Sequence, residues 1–271
     1  MKARGANWVR ERLELGGLIP PCKENYVNAY LCSLVALLIS DGGVSPQPKT
    51  SWTIYFGNNS DVLNSLFRNC MIILFGIVPS SQIRSNGYTF QRKRSKNIGE
   101  SLLELTNSYR TLSCSKHPTC GKFRNRRQSC LKCDPIVSNG IHYPRIRFPK
   151  EIETDTNFAR EFLKIVFSCD GGVALYTAKR NRQTWLIRKI FLDSEHPSVN
   201  SYYQKLLRIL GFKAKIYGSQ IRLQNREMIQ RFKKEIGFIK GVQVGNDSKY
   251  WQGKTKNFVL NELLRSYKSS Q

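Results

Sequence analysis

Two acidic residues, Asp41 and Asp170, stand in the same short context. Residues 34–44 read Leu-Val-Ala-Leu-Leu-Ile-Ser-Asp-Gly-Gly-Val, and residues 163–173 read Leu-Lys-Ile-Val-Phe-Ser-Cys-Asp-Gly-Gly-Val. Each apolar stretch is long enough for a helix and halts at Gly-Gly, where a left-handed C-terminal residue is expected. Two helices are therefore predicted to end on Asp41 and Asp170. Packed side by side, they would bring two carboxylates to two negative helix ends, an arrangement that repels itself unless a cation intervenes. Mg²⁺ suits such a place, because it accepts a few carboxylate and carbonyl oxygens and fills the rest of its shell with water. Divalent ions held there can clamp the attacking and leaving oxygens of a phosphodiester. Asp41 and Asp170 are thus candidate metal ligands, with the carbonyls of Gly42 and Gly171 as helpers. One Asp-Gly-Gly alone is an ordinary turn; its recurrence within a repeated phrase gives it meaning.

The flanking sequence repeats as well. After each phrase comes strand-like sequence (Ser51 to Phe56; Thr184 to Leu192), then a helix-period segment (Val62 to Phe75; Val199 to Leu210). Two short strand candidates follow, Gln82 to Arg84 with Tyr88 to Lys93, and Lys213 to Tyr217 with Gln220 to Gln224. A further helix closes each half, Ile98 to Tyr109 and Glu227 to Ile236. The order helix, two strands, helix, two strands, helix is written twice, which predicts an α+β fold of two pseudo-symmetric αββαββα repeats with antiparallel sheets. The expected divisions are an N-terminal extension (1–24), a first repeat (25–112), a basic Cys-rich insert and linker (113–150) and a second repeat (151–271).

Charge indicates the partner. The 271 residues include 44 Lys and Arg against 19 Asp and Glu, a net charge of +25. Such an excess favours a polyanion, and nucleic acid before an anionic membrane. Alternation along the strands places that charge. Lys213, Lys215 and Tyr217 share one face while Ala214 and Ile216 share the other; Gln220, Arg222 and Gln224 group likewise, and Thr53 and Tyr55 oppose Trp52, Ile54 and Phe56. One face of each sheet is expected under helices and the other to be basic and polar. The longest apolar run, residues 70–78 with Gly76 inside it, is far short of the about 20 residues a membrane span needs. The opening residues carry no secretory signal pattern. The expectation is an intracellular protein, cytoplasmic in a prokaryote or organellar.

These residues resemble the LAGLIDADG homing endonucleases in their two-repeat, monomeric form. Leu34, Leu37, Asp41 and Gly42 match the nine-letter motif in the first half, and Leu163, Asp170 and Gly171 in the second. Ile39 and Ser168 stand where the family has its first Asp, and Ile165 where a small residue is usual. The resemblance implies two sheets forming a saddle on double-stranded DNA, two or three Mg²⁺ ions at one active site, and cleavage of both strands to leave short 3′ overhangs. It implies groove contacts from Tyr55, Arg84, Gln91, Lys93, Arg188, Lys213, Lys215, Tyr217, Arg222 and Gln224. It also implies residues that organise water around the metals, for which Asn58, Lys93 and Gln224 are the nearest matches. An intron-RNA-binding maturase on the same scaffold, or a non-catalytic zinc-containing DNA-binding protein, are the alternatives.

Between the halves, Cys114, Cys120, Cys130 and Cys133 lie among Lys116, Lys122, Arg124, Arg126, Arg127 and Lys132 with no acid between the first and last thiol. Four thiolates could hold Zn²⁺, although only the last pair has the usual short spacing. Two disulfides, or free thiols, are the other readings. His142 and His196 read as surface residues, and Cys32, Cys70 and Cys169 as small buried hydrophobes.

Overall fold

The structure is a computed structural model; it describes residues 24–45, 52–85, 87–109, 136–138, 141–180, 183–245 and 248–267. The four cysteines of the insert lie outside the described residues. In chain order the first half contains α1 (Glu24–Ser40), β1 (Gly42–Ser45), β2 (Thr53–Asn58), α2 (Asp61–Phe75), β3 (Ser80–Ile83), β4 (Thr89–Arg94) and α3 (Lys96–Leu105). A hairpin, β5 (Ile136–Ser138) and β6 (Ile141–Tyr143), and a single turn, α4 (Glu151–Thr154), lead to the second half. That half repeats the order as α5 (Thr156–Cys169), β7 (Gly171–Arg180), β8 (Gln183–Asp193), α6 (Pro197–Ile209), β9 (Lys215–Tyr217), β10 (Gln220–Leu223) and α7 (Arg226–Glu235). A last helix, α8 (Lys256–Arg265), follows. The fold is α+β, with two antiparallel four-stranded sheets of identical topology, β1-β2-β4-β3 and β7-β8-β10-β9.

The central helices explain themselves by composition. From Leu31 to Ile39, α1 is apolar except for Ser33, and every one of these residues is buried. A helix without a polar face must be covered all round; α1 packs on α2 and β1 on one side and on α5 of the other half. From α5, Phe162, Leu163, Ile165, Val166 and Phe167 complete the seam at zero exposure. Ile165 is thus accommodated in the interior. The other helices carry ordinary start signals, with Ser60, Ser95, Asp155, Asn225 and Thr255 each accepting a backbone N–H of the first turn.

The Gly-Gly pairs work differently from the left-handed cap expected of them. Positive φ occurs elsewhere, at Gly76 and Gly211 among others, and not at residues 42, 43, 171 or 172. Each strand begins directly after the aspartate, and the first glycine is required by proximity. A Cβ on Gly42 would lie 2.7 Å from the Tyr55 carbonyl oxygen and 2.9 Å from Leu38 Cα; on Gly171 it would lie 2.7 Å from Phe167 O and 2.8 Å from Phe191 O. Helix end and second strand therefore touch backbone to backbone, which fixes where each aspartate emerges.

Register decides which side chains face out. Ile54 and Phe56 of β2 are buried against helices and pair with Lys93 and Gln91. Directly paired residues share a face, so Gln91 and Lys93 belong to the helix side rather than the groove side. Gln91 is buried, and its Nε2 donates to Asn64 O at 2.8 Å. Arg92 and Arg94, paired with Tyr55 and Thr53, occupy the open face instead. In β8, Arg188 has the parity of buried Ile190 and Leu192 and is likewise turned away from the open face. Its Nε donates to Ser266 Oγ at 2.8 Å and its Nη2 to Ser266 O at 2.7 Å, with the guanidinium 4.5 Å from the Tyr267 ring centroid. His196 is also interior: its Nε2 lies 2.6 Å from Pro144 O, its Nδ1 3.0 Å from Ser198 Oγ, and it is fully buried. It fastens the segment before α4 to the second half. Cys32 and Cys70 are buried as expected.

Arg188 is therefore a structural clasp on the end of α8. Replacing it with Ala is expected to lower the unfolding free energy by about 1.5–3 kcal/mol, the usual worth of charge-assisted hydrogen bonds, with duplex DNA affinity unchanged. Urea unfolding and a DNA-binding titration check this; weakened binding at unchanged stability would contradict it.

Candidate active site

The seam between α1 and α5 carries the two helix ends to one place. Asp41 N–H donates to Leu37 O and Asp170 N–H to Val166 O, so each aspartate closes the last turn of its helix. Each backbone carbonyl is then taken by the second strand, Asp41 O by Gly57 N–H at 3.1 Å and Asp170 O by Asp193 N–H at 3.3 Å. With the backbones pinned symmetrically, the two carboxyl groups lie close enough to act on one another electrostatically. The residue before each aspartate crosses over: Ser40 of the first half lies by Asp170, and the Cys169 thiol of the second half lies by Asp41.

The electrostatics follow from that crowding. Burial raises the Asp170 carboxyl to about 8; the neighbouring Asp41 carboxylate pushes it the same way, and Ser40 and Lys256 act in opposition. Asp41 is raised by burial too, offset first by its hydrogen bond from Asn58 and then by Lys256. Two neighbouring carboxyls that are both raised by burial form a site that lacks positive charge. Asn58 Nδ2 donates to Asp41 Oδ2 at 2.7 Å, and Asn58 is itself fixed, its Oδ1 accepting Ser60 N–H and its carbonyl accepting Asn64 Nδ2. The second half copies that brace: Asn200 Nδ2 donates to Ser194 O and Ser219 O.

The cation that the chain itself supplies belongs to no motif in the sequence. Lys256, the first residue of α8, is buried beneath the end of α5. Its Nζ donates to Gly171 O at 2.6 Å and Ser168 O at 2.7 Å, with Phe167 O at 3.4 Å and Cys169 O at 3.5 Å. An ammonium at a helix C-terminus is stabilised by the helix dipole. Burial lowers the Lys256 pKa, while Cys169, Asp170 and Asp41 favour its charged form. A cavity of about 620 Å³ opens beside it, lined by Asp41, Asn58, Tyr88, Cys169, residues 241–245 and Lys256.

The donor set fits a hard divalent cation. The described residues contain no cluster of three or more His, Cys, Asp and Glu, so a resident ion would take two carboxylates, backbone oxygens and water, which is how Mg²⁺ binds. Asp41 and Asp170 would hold it, with Gly42 O available on the first side.

The remaining sequence candidates divide by face. On the open face of the first sheet, the Arg84 guanidinium lies 5.3 Å from the Tyr88 centroid and 5.9 Å from that of Phe90, and Phe90 packs on Tyr55 at 5.8 Å. On the second, Lys215 pairs with Arg222, whose guanidinium lies 4.7 Å from the Tyr217 centroid. Lys213 is exposed just before β9, and Gln224 just after β10. Gln224 is separated from the catalytic end: Ile221 pairs with Leu192 and that with Gly171, leaving Gln224 three residues away, about 10 Å. Gln220, which pairs with Asp193, holds the near position; its Nε2 donates to Asp193 Oδ1 at 2.9 Å, while its Oε1 accepts from Lys189 Nζ and Arg222 Nε. Arg92, Arg94, Lys189 and Gln220 thus join the open face. The parity of Ile190 and Leu192 could have identified Lys189; in β4 the one apolar residue, Phe90, lies on the open face and points the wrong way.

Among curated proteins none matches this chain. Among solved structures, I-DmoI in complex with DNA and Mn is 12% identical and covers 77% of this chain and 96% of that one, with a TM-score of 0.47. A lysine-to-alanine mutant of I-SmaMI is 12% identical and covers 89% of this chain and 98% of that one, with a TM-score of 0.46. The family model for a LAGLIDADG-like domain matches residues 157–237. That span runs through the second acidic helix end and its sheet to the close of α7, so the similarity covers most of the second half of the chain.

Proposed function

We propose that the protein is a monomeric, site-specific, Mg²⁺-dependent DNA endonuclease that hydrolyses both strands of a long duplex target and leaves short 3′ overhangs. The observation that carries this reading is the convergence of Asp41 and Asp170 at the α1–α5 seam, beside sheet faces rich in Arg, Lys and aromatic rings. The open faces supply DNA binding: Arg84, Arg92 and Arg94 on one half, and Lys189, Lys213, Lys215, Tyr217 and Arg222 on the other. Arginine can read guanine bidentately, whereas lysine mostly holds phosphate. A bound divalent ion supplies Lewis-acid polarisation of the phosphate and a more acidic water. The chain supplies the rest: Asp41 and Asp170 fix the position of that charge, Asn58 orients Asp41, and the rigid helix seam keeps both carboxyls aligned.

Asp41→Asn and Asp170→Asn are each expected to abolish Mg²⁺-dependent cleavage of a target selected from a random duplex library, while gel-shift affinity survives. Persistent cutting by both would reject the assignment. Lys215→Ala should weaken duplex binding across sequences and reduce the slope of log affinity against log salt by about 1, whereas Gln91→Ala should leave that slope unchanged.

The carboxyl pair also predicts a pH dependence of stability. The folded Asp170 carboxyl is raised to about 8 from 3.8, so the folded state binds the proton more tightly than the unfolded chain does. Its contribution is fully present below about pH 4 and is lost as pH rises through about 8. In EDTA, the melting temperature of wild type minus that of Asp170→Asn should fall across this window, and Mg²⁺ should restore it at the upper end. A difference independent of pH would contradict the coupling.

A further inference from the structure

The open face of the second sheet changes chemistry along its length. Lys215, Arg222 and Phe191 are paired in one row across it, and Lys189 stands one step farther from the aspartates. Beyond Lys189 the face turns apolar: its next pairs are Tyr176 with Ile187 and Ala178 with Trp185. Tyr176 is 39% exposed and Trp185 55%. Among the described residues, Tyr176, Trp185 and Ile187 neither belong to the core nor pack against it. On the reverse side of the same stretch Thr177, Thr184 and Leu186 are exposed as well, so this end of the hairpin runs past the described helices. The corresponding face of the first sheet is different in kind, carrying Thr53, Tyr55, Arg92 and Arg94. An exposed apolar patch that packing does not demand marks a contact surface, and this one continues a basic face with no acid between Val173 and Lys189.

A second copy of this chain is a poor occupant, because it would bring its own charge of +25 against Lys189, Lys215 and Arg222. Duplex DNA meets both chemistries. Its phosphates suit the cations, and in the major groove the C5 methyl of thymine is the apolar group that a base pair presents. We infer that the outer β7–β8 hairpin reads thymine by that methyl, through Tyr176, Ile187 and Trp185. The inference rests on the proposed nuclease reading and deepens it by naming what one half-site must contain. Ile187 lies four residues and Trp185 six residues outward from Phe191 along β8. A strand rises about 3.4 Å per residue and DNA about 3.4 Å per base pair. Where the strand follows the groove, these side chains reach about four to six base pairs outward from those over Phe191. The two halves then read by different means, the first through arginine hydrogen bonds and the outer second through methyl contact, so the target is asymmetric.

The test uses the full chain and a duplex selected from a random library, with affinities measured in EDTA so that no cut intervenes. The selected target should carry thymine, on either strand, at the outer positions of one half-site. Deoxyuridine keeps every hydrogen-bonding group of thymidine and removes only the methyl, so it separates methyl reading from bonds made by the Tyr176 hydroxyl or the Trp185 indole. Replacing those thymidines should weaken wild-type binding by about fourfold per methyl, the equivalent of about 0.8 kcal/mol. The variant Tyr176→Ser/Trp185→Ser/Ile187→Ser, its folding checked by thermal melt, should bind both duplexes equally. A selected target without thymine there would overturn the inference, as would equal wild-type affinity for the two duplexes or a folded variant that keeps the wild-type ratio. If the variant does not fold, the wild-type comparison decides alone. A wild-type dimer in sedimentation that the variant dissolves would assign the patch to a second copy and overturn the inference. Failure to select any duplex would instead overturn the nuclease reading, so the two failures are distinct.

Discussion

The repulsion between Asp41 and Asp170 is the constraint on which the rest of the molecule turns. Two carboxyl groups, each closing the last turn of a buried helix, are brought together where water is scarce and both helix dipoles are negative. Such a place is unfavourable for an anion and correspondingly favourable for a cation. Its unfavourable energy is sustained by an interface that would form without it: α1 is apolar around its whole circumference between Leu34 and Ile39, and burying that surface against α5 is worth far more than a polar alternative could return. The seam therefore exists for hydrophobic reasons, and the charge pair at its end is carried along.

The sheets fix the position on the scale that chemistry requires. Backbone contact between each helix end and the next strand, enforced by Gly42 and Gly171, removes the slack that a side-chain contact would allow. The paired hydrogen bonds from Gly57 and Asp193 to the aspartate carbonyls then lock the two exits in related geometry. Supporting amides at Asn64 and Asn200 brace the loops that follow. Scaffold symmetry ends at the side chains: Asn58 on one side faces Lys256 on the other. A duplicated fold can in this way hold two different electrostatic environments within a few residues of each other.

Much of this is legible in the sequence, and the physical reason is periodicity. The repeated phrase, the order of elements and the acidic helix ends depend on local pattern, and the described structure has that order in both halves. Faces are legible where one parity is plainly apolar, as with Ile54 and Phe56 or Ile221 and Leu223. They are not legible in Thr89–Arg94, where the one apolar residue, Phe90, lies on the open face with Arg92 and Arg94, so that Gln91 reads as outward although it is buried, and Arg92 escapes notice. Arg188 misleads for a different reason: its partner, Ser266, lies far along the chain, and nothing local announces it. Lys256 shares that cause, since its role comes from docking α8 beneath α5. The glycines stand out in the sequence for the wrong property, conformational freedom rather than close approach. His196 looks solitary because its partners are a distant backbone carbonyl, Pro144 O, and a nearby hydroxyl, that of Ser198.

The proposed nuclease activity requires the two aspartates to form one cation site. Anomalous X-ray diffraction from crystals of the protein grown with Mn²⁺ tests it most directly. An anomalous peak is expected at the α1–α5 junction, within coordination distance of Asp41 Oδ and reached by Asp170. Well-ordered carboxyl groups that turn away from each other, with manganese bound elsewhere or not at all, would contradict it.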